Sequence, residues 1–118
     1  MVTGTGPTLQ FLTMVDGSID EGGLHELLAR GLSATPYRRN SLHARGNLIE
    51  IQPNEEADAE LARTDEDDFL YFRWRVEATP TDRTIGEAEQ IALARDIVRV
   101  VQADRLRAIV CAAFEDKV

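Results

Sequence analysis

The clearest pattern along the chain is a strict alternation of apolar and mostly polar positions over Phe69 to Ala78. One set of alternate positions is apolar and consists of Leu70, Phe72, Trp74, Val76 and Ala78. The other set consists of Phe69, Tyr71, Arg73, Arg75 and Glu77. Because successive side chains of a strand point to opposite faces, this alternation predicts a half-buried β-strand whose apolar face packs on helices.

A first helix is predicted over about residues 19–30. Ser18 and Glu21 have the spacing of a capping box, in which the two side chains satisfy free backbone N–H groups at the helix start. Leucines follow at helical spacing, and Gly31 is placed as a C-terminal stop.

A second, longer helix is predicted from another capping box, formed by Thr84 and Glu87, to about Asp104. The apolar residues between Ile91 and Val101 fall on one broad arc at 100° per residue. An arc of this width is typical of a helix that is buried against a sheet.

Three further strands complete the pattern: Thr8 to Val15, Leu48 to Gln52, and Leu106 to Phe114. The first of them is apolar on both faces, which indicates a central strand. Pro36 excludes a helix in residues 33–46, which could form a ragged edge strand or a loop and could add a strand or a hairpin to the sheet.

The predicted element order is β-α-β-β-α-β. Two β-α-β halves in this order form an antiparallel sheet with both helices on one face, because crossover connections are right-handed. We therefore predict a two-layer α+β ferredoxin-like sandwich, with residues 1–118 forming one domain. A chain of this length can be stable on a hydrophobic core without metals or cross-links.

Charge is distributed unevenly along the chain. The net charge is −8, and residues 54–68 account for −7 of it, because they carry eight carboxylates and a single arginine, Arg63. The rest of the chain is close to neutral. General binding to nucleic acid needs a clustered basic surface, so we expect no nucleic-acid partner.

The sequence also bears on the compartment. Cys111 is the only cysteine, so no internal disulfide can form, which fits a reducing environment. No stretch approaches the length of a transmembrane helix, and the N-terminal residues lack the pattern of a signal peptide. We expect a soluble, cytoplasmic protein with no membrane partner.

The first candidate site is the polar face of the 69–78 strand. Tyr71, Arg73 and Arg75 would share the sheet face opposite the helices, where aromatic and arginine side chains favour an interface or an anionic or planar ligand. The alternative is a solvated face on which Arg75 forms a cross-strand pair with Glu50.

The second candidate site is the acidic segment, represented by Asp65, Asp67 and Asp68. Concentrated carboxylates favour docking of a basic protein partner. The alternatives are a solvated connection that serves solubility, or a Ca²⁺ or Mg²⁺ site. The segment contains no glycine for an EF-hand loop, and we expect no metal site.

Residues with catalytic potential are sparse. His25 and His43 are not spaced as metal ligands, and no phosphate-binding loop or nucleophile motif occurs. We therefore predict no catalytic residue and no cofactor.

The sequence favours a non-catalytic interaction or regulatory domain whose partner is a second copy of the chain or another protein. One version is an antitoxin- or immunity-like inhibitor of a basic toxin. The alternative is a small dimeric enzyme of the α/β-barrel type, or a binder of a small ligand, with a pocket between sheet and helices and His43 near Tyr71.

Overall fold

The structure, a computed structural model, describes residues 9–118. Thr8, the first residue of the first predicted strand, lies outside this range. The elements in chain order are β1 (Phe11–Asp16), α1 (Glu21–Gly31), β2 (Thr35–Arg38), β3 (Ser41–Ala44), β4 (Asn47–Pro53), α2 (Leu61–Thr64), β5 (Trp74–Pro80), α3 (Glu87–Ala103) and β6 (Arg107–Cys111), with short 3₁₀ helices at Asp68–Tyr71 and Glu115–Lys117.

The six strands form one antiparallel sheet in the order β2-β3-β4-β5-β1-β6. This confirms the α+β class and the antiparallel sheet. The sheet is not the predicted four-stranded ferredoxin-like one, because the segment left open at 33–46 forms the β2–β3 hairpin. Pro36 is tolerated in β2 because this strand is the edge of the sheet.

The strand predicted over Phe69 to Ala78 is correct only in its second half. Trp74, Val76 and Ala78 are buried on one face of β5, as the alternation predicted. The last partner of β5 in β1 is Val15, which pairs with Trp74, so no neighbouring strand on that side continues the ladder before residue 74. Residues 68–71 form a 3₁₀ helix instead.

Helix α1 begins later than predicted. Its N-cap is Asp20, whose carboxylate accepts a hydrogen bond from Gly23 N at 2.7 Å, so the Ser18 capping box is wrong. Gly31 is the last residue of the helix rather than a stop beyond it. A Cβ there would lie 2.5 Å from a methyl carbon of Val100, so the absence of a side chain lets α1 approach α3.

Helix α3 also lacks its predicted capping box. Thr84 lies before the helix, where its backbone N–H and its hydroxyl donate to the Asp82 carboxylate at 2.9 and 2.8 Å. These hydrogen bonds lower the pKa of Asp82. Gly86 occupies the cap position of α3 and offers no side-chain hydrogen bond.

The hydrophobic core lies between the sheet and the two long helices, α1 and α3. Alternate side chains of the inner strands contact fully buried residues of α1 and α3, among them Leu24, Leu28, Leu93, Ile97 and Val101. Gln90 is buried in this layer, where its side-chain amide exchanges two hydrogen bonds with Asn47 and donates a third to Leu9 O. The layer between sheet and helices is therefore filled by packed side chains.

The predicted last strand, Leu106 to Phe114, is shorter in the structure. β6 ends at Cys111, and the chain then turns so that the Phe114 ring packs edge-on against Phe11, with ring centroids 5.7 Å apart. β1 lies between β5 and β6, which confirms the prediction of a central strand.

Candidate functional site

The acidic segment is folded against the sheet. Ala62 of α2 and Phe72 are buried with Met14 in a second hydrophobic cluster, on the sheet face opposite α1 and α3. A two-layer fold with helices on one side predicts that this face is open, but residues 54–72 cover part of it. The carboxylates of the segment are therefore carried by a packed backbone.

Asn54 fixes the start of the segment. Its side-chain amide nitrogen donates to Leu70 O at 2.9 Å and to Phe72 O at 2.7 Å, and its side-chain oxygen accepts from Glu56 N at 3.1 Å. The backbone N–H of Asn54 donates to Arg73 O at 3.0 Å. A single buried side chain thus joins the start of the acidic segment to the residues that follow its end, because an amide can donate and accept at once.

Arg107 of β6 binds the middle and the end of the acidic segment. Its guanidinium donates to Ala62 O and forms an ion pair with Asp68, and it lies over the Phe72 ring with 4.5 Å between the guanidinium carbon and the ring centroid. A planar cation can satisfy all three contacts together, whereas a lysine could not.

The three aspartates proposed from the sequence have different surroundings. Asp68 is held by Arg107, and Asp65 accepts a hydrogen bond from Asp67 N at 2.8 Å. The exposed side chain of Asp67 has no hydrogen bond or ion pair within the described range. Two of the three candidates therefore stabilise the segment itself.

Five carboxylates of the segment remain exposed and form no hydrogen bond or ion pair with the rest of residues 9–118; these are Glu55, Glu56, Glu60, Glu66 and Asp67. Asp58 is not among them, because its carboxylate accepts from Glu60 N and Leu61 N at 3.0 Å at the start of α2. We call these five residues, together with Glu50 and Glu77, the acidic face.

Glu50 of β4 and Glu77 of β5 stand directly opposite each other, and both are half-buried. The predicted cross-strand pair of Arg75 with Glu50 is wrong, because Arg75 stands opposite Gln52 in this register. Like charges directly opposite each other destabilise a sheet. Neither glutamate has an ion-pair partner among the described residues, so a cation placed between them would relieve their repulsion.

Tyr71, Arg73 and Arg75 do not form one row of a strand. Tyr71 ends the 3₁₀ helix, and Arg73 precedes β5 with its guanidinium 5.4 Å from the Trp74 ring centroid. Tyr71 and Arg73 line a pocket of about 420 Å³ beside Asp16, whereas Arg75 lies farther along the sheet. Tyr71 also borders the pocket that contains Arg75, so it lies between the two arginines.

The pocket beside Arg75 has a volume of about 350 Å³ and lies on the outer face of the sheet, where the acidic segment leaves it uncovered. Most of its wall is apolar and is formed by Leu12, Met14, Phe69, Leu70, Tyr71 and Cys111. Asn54, Glu56 and Arg75 complete the lining and also line a neighbouring pocket of about 270 Å³, which continues to Glu55. We call these two adjoining pockets, which share Asn54, Glu56 and Arg75, the sheet-face groove.

Cys111 is half-buried in the wall of the groove. Burial raises the pKa of its thiol, the nearby Glu115 raises it further, and Arg75 acts in the opposite direction. A thiol in this environment is a weak nucleophile at neutral pH.

The histidines lie away from these pockets. His25 Nε2 is 2.9 Å from Ser41 O, and the His43 ring packs against Tyr37 with centroids 4.8 Å apart. β3, which carries His43, is separated from β5 by β4, so His43 is not beside Tyr71.

Asn54 has no distinguishing pattern in the sequence that marks it as a site residue. Glu77 belongs to the polar face of the predicted strand, but no pattern in the sequence shows that it faces Glu50. One signal did exist for the groove, because Leu12 and Met14 are apolar on the outer face of β1. Apolar residues on the outer face of a strand indicate that another part of the protein packs there. In this structure the folded acidic segment covers part of that face.

Within residues 9–118, no group of three or more His, Cys, Asp or Glu side chains is placed to hold a metal ion. None of the helices formed by these residues has the length and apolar content that a bilayer-crossing span needs. No protein-family model, curated protein or solved structure matches the chain.

Proposed function

We propose that this protein is a non-catalytic interaction domain that binds a basic region of another protein through the acidic face. The observation that carries the proposal is the anchoring of residues 54–72 by Asn54, Arg107 and Phe72. The exposed carboxylates extend from a backbone that is already ordered, so a partner would not have to order a loop when it binds.

Electrostatics also favour this function. Five exposed carboxylates belong to the segment that packs on the outer sheet face, and the facing pair Glu50 and Glu77 lies on the same face of the sheet. Together they attract a positively charged surface and accelerate the encounter. An inhibitor that occupies the basic surface of a toxin or nuclease is one form of such a domain. A reducing, cytoplasmic compartment fits the single free thiol of Cys111.

The fold is part of the proposal. We infer a ferredoxin-like unit made of β1, β4, β5 and β6 with α1 and α3, to which the β2–β3 hairpin is added at the edge next to β4. The neighbour order β6-β1-β5-β4 within the sheet supports this inference.

The experiment compares two charge variants as baits. The test variant combines Glu55→Gln, Glu56→Gln and Glu60→Gln, which change only exposed side chains without partners in the described structure. The control variant combines Glu26→Gln, Asp104→Asn and Asp116→Asn, which remove the same charge from other exposed positions. Proteins retained from a lysate of the source cells by the wild type are identified and purified, and their affinity is measured against ionic strength.

We expect a basic partner whose Kd rises about tenfold or more for the test variant at low salt, since each exposed charge pair contributes up to about 1 kcal/mol. The test variant should also show a weaker salt dependence, whereas the control should match the wild type. Equal losses in both variants, or a partner without a basic surface, would refute the proposal.

Self-association is the second form of partner binding. Leu70 and Ile109 are 47% and 42% exposed on the outer sheet face, which favours contact with a second copy. Light scattering with size-exclusion chromatography tests this form on the wild type and on the Arg73→Glu, Arg75→Glu double variant. A wild-type dimer that the variant breaks would support it, and a monomer in both would exclude it.

A further inference from the structure

The sheet-face groove changes in chemical character along its length. At one end its wall is formed by apolar side chains, among them Leu12, Phe69 and Cys111. At the other end it is bordered by Glu55, and Glu56 lies where it borders both pockets. The carboxylates of Glu55 and Glu56 are exposed and free of partners within the described range. A complementary occupant therefore carries an apolar group and a cationic group at adjacent positions.

The apolar end is large enough for one side chain with its neighbouring backbone. Its volume is about 350 Å³, which lies at the lower end of the range for pockets that bind small molecules. Leu70 is 47% exposed and borders this end, so an inserted ring would remove apolar surface of Leu70 from water. Deeply inserted aromatic side chains are the usual anchors of protein interfaces.

Arg75 lies where the two ends of the groove meet. It is half-buried and forms no ion pair with any carboxylate among residues 9–118. Its guanidinium offers only donors. If the occupant is an extended segment of a partner protein, Arg75 can donate hydrogen bonds to its backbone carbonyl oxygens. The cationic side chains of the same segment can then reach Glu55 and Glu56.

We propose that the sheet-face groove binds a segment of a protein partner in which an aromatic side chain stands next to lysine or arginine. The proposal rests on the proposed function and specifies the partner sequence that the acidic face would recognise. The aromatic ring fills the apolar end, and the neighbouring cation binds at the acidic end. A small amphipathic anion is the competing occupant. Its ionised group would lie beside Glu55 and Glu56 and would be repelled by their carboxylates.

Cys111 supplies a site-specific reporter, because it is the only cysteine of the chain and forms part of the groove wall. Its alkylation by iodoacetamide at alkaline pH reports access to the apolar end. A side chain that occupies this end will slow the reaction, whereas a ligand bound elsewhere on the acidic face will not.

Three capped peptides serve as probes: acetyl-Lys-Lys-Trp-Lys-amide, acetyl-Lys-Lys-Ala-Lys-amide and acetyl-Glu-Glu-Trp-Glu-amide. We expect the cationic tryptophan peptide to slow alkylation of Cys111 at least fivefold at saturation. The alanine peptide should bind at low salt without protecting the thiol, and the acidic peptide should do neither. Equal protection by the two cationic peptides, protection by the acidic peptide, or no protection by any would overturn the proposal.

Two exposed side chains provide a matched pair of variants. Leu70→Ala removes a side chain that borders the groove, and Ile109→Ala removes one on the same sheet face outside it. We expect the Kd of the cationic tryptophan peptide to rise about tenfold for Leu70→Ala, because the bound ring would bury less apolar surface, and to stay unchanged for Ile109→Ala. Equal effects of the two variants would refute the groove as the site.

A charge variant separates this proposal from the proposed function. Glu55→Gln with Glu56→Gln should weaken both cationic peptides by the same factor. If it does so while Leu70→Ala has no effect, the acidic face binds cations and the groove proposal fails. If the charge variant leaves both affinities unchanged at low salt, the proposed function fails as well.

Discussion

Replacement of Asn54 by alanine tests directly whether the acidic segment is folded against the sheet. The change removes two donated hydrogen bonds, to Leu70 O and Phe72 O, and one accepted from Glu56 N. A typical hydrogen bond contributes about 1 kcal/mol net to stability, so three of them amount to about 3 kcal/mol. For a domain of this length such a loss lowers Tm by roughly 10 °C.

Asn40→Ala is the matched control. The Asn40 side chain donates one hydrogen bond, to Ile51 O at 3.2 Å, so its removal should cost only about 1 kcal/mol. Urea unfolding of both variants gives the free energies, and the difference between them isolates the contribution of the anchoring contacts from the general effect of an Asn-to-Ala change.

Hydrogen exchange locates the loss. The amide of Asp58 donates to Tyr71 O at 3.0 Å and is protected only while the segment stays docked. In Asn54→Ala it should exchange faster relative to the amides of α3. If the Asp58 amide is unprotected in the wild type, or if Asn54→Ala costs no more than Asn40→Ala, Asn54 does not anchor residues 54–72 to the sheet.

Three other perturbations test the core and the groove. Thr13 is fully buried and its hydroxyl has no hydrogen-bond partner among residues 9–118, so Thr13→Val should raise the free energy of unfolding by about 1 kcal/mol; a lower urea midpoint would contradict this. Gly31→Ala should lower stability by about 1–2 kcal/mol, because its Cβ would meet Val100, and the loss should disappear in a Val100→Ala background; an equal loss in both backgrounds would rule out the clash. Burial raises the pKa of Cys111, so its alkylation should require a higher pH than that of a thiol at the exposed position 113, introduced as Ala113→Cys in a Cys111→Ala background. Because the raised pKa favours the neutral thiol in the folded state, its contribution to stability is complete below the pKa of the unfolded chain and is lost as pH rises through the folded-state value.

Local patterns were sufficient to predict most of the helices and strands. The arc of apolar residues in α3, the alternation at Trp74, Val76 and Ala78, and the double apolar face of β1 all correspond to burial in the structure. These patterns are reliable because each one reflects the repeat of a single element.

The capping boxes were less reliable. Ser18 and Thr84 have the correct spacing, but Asp20 caps α1 and Gly86 occupies the cap position of α3. Several polar residues near a helix start compete for the same backbone N–H groups, and spacing alone does not decide between them.

The candidate site depended on long-range contacts. The alternation that predicted the strand continues into Phe69 and Tyr71, but a strand also needs a partner, and the available partners end near Trp74. The facing pair of Glu50 and Glu77 follows from register, which nothing in either strand alone specifies.

The sequence by itself determined the α+β class, the central position of β1, the inner face of α3 and the concentration of negative charge in residues 54–68. These properties follow from periodicity and composition, which are local. Only the tertiary structure decided that the acidic segment packs on the outer sheet face, with Asn54 and Arg107 as its anchors, and that the groove forms beside it. Those features arise from hydrogen bonds and packing between residues far apart in the chain, whose energies depend on geometry that no local pattern contains.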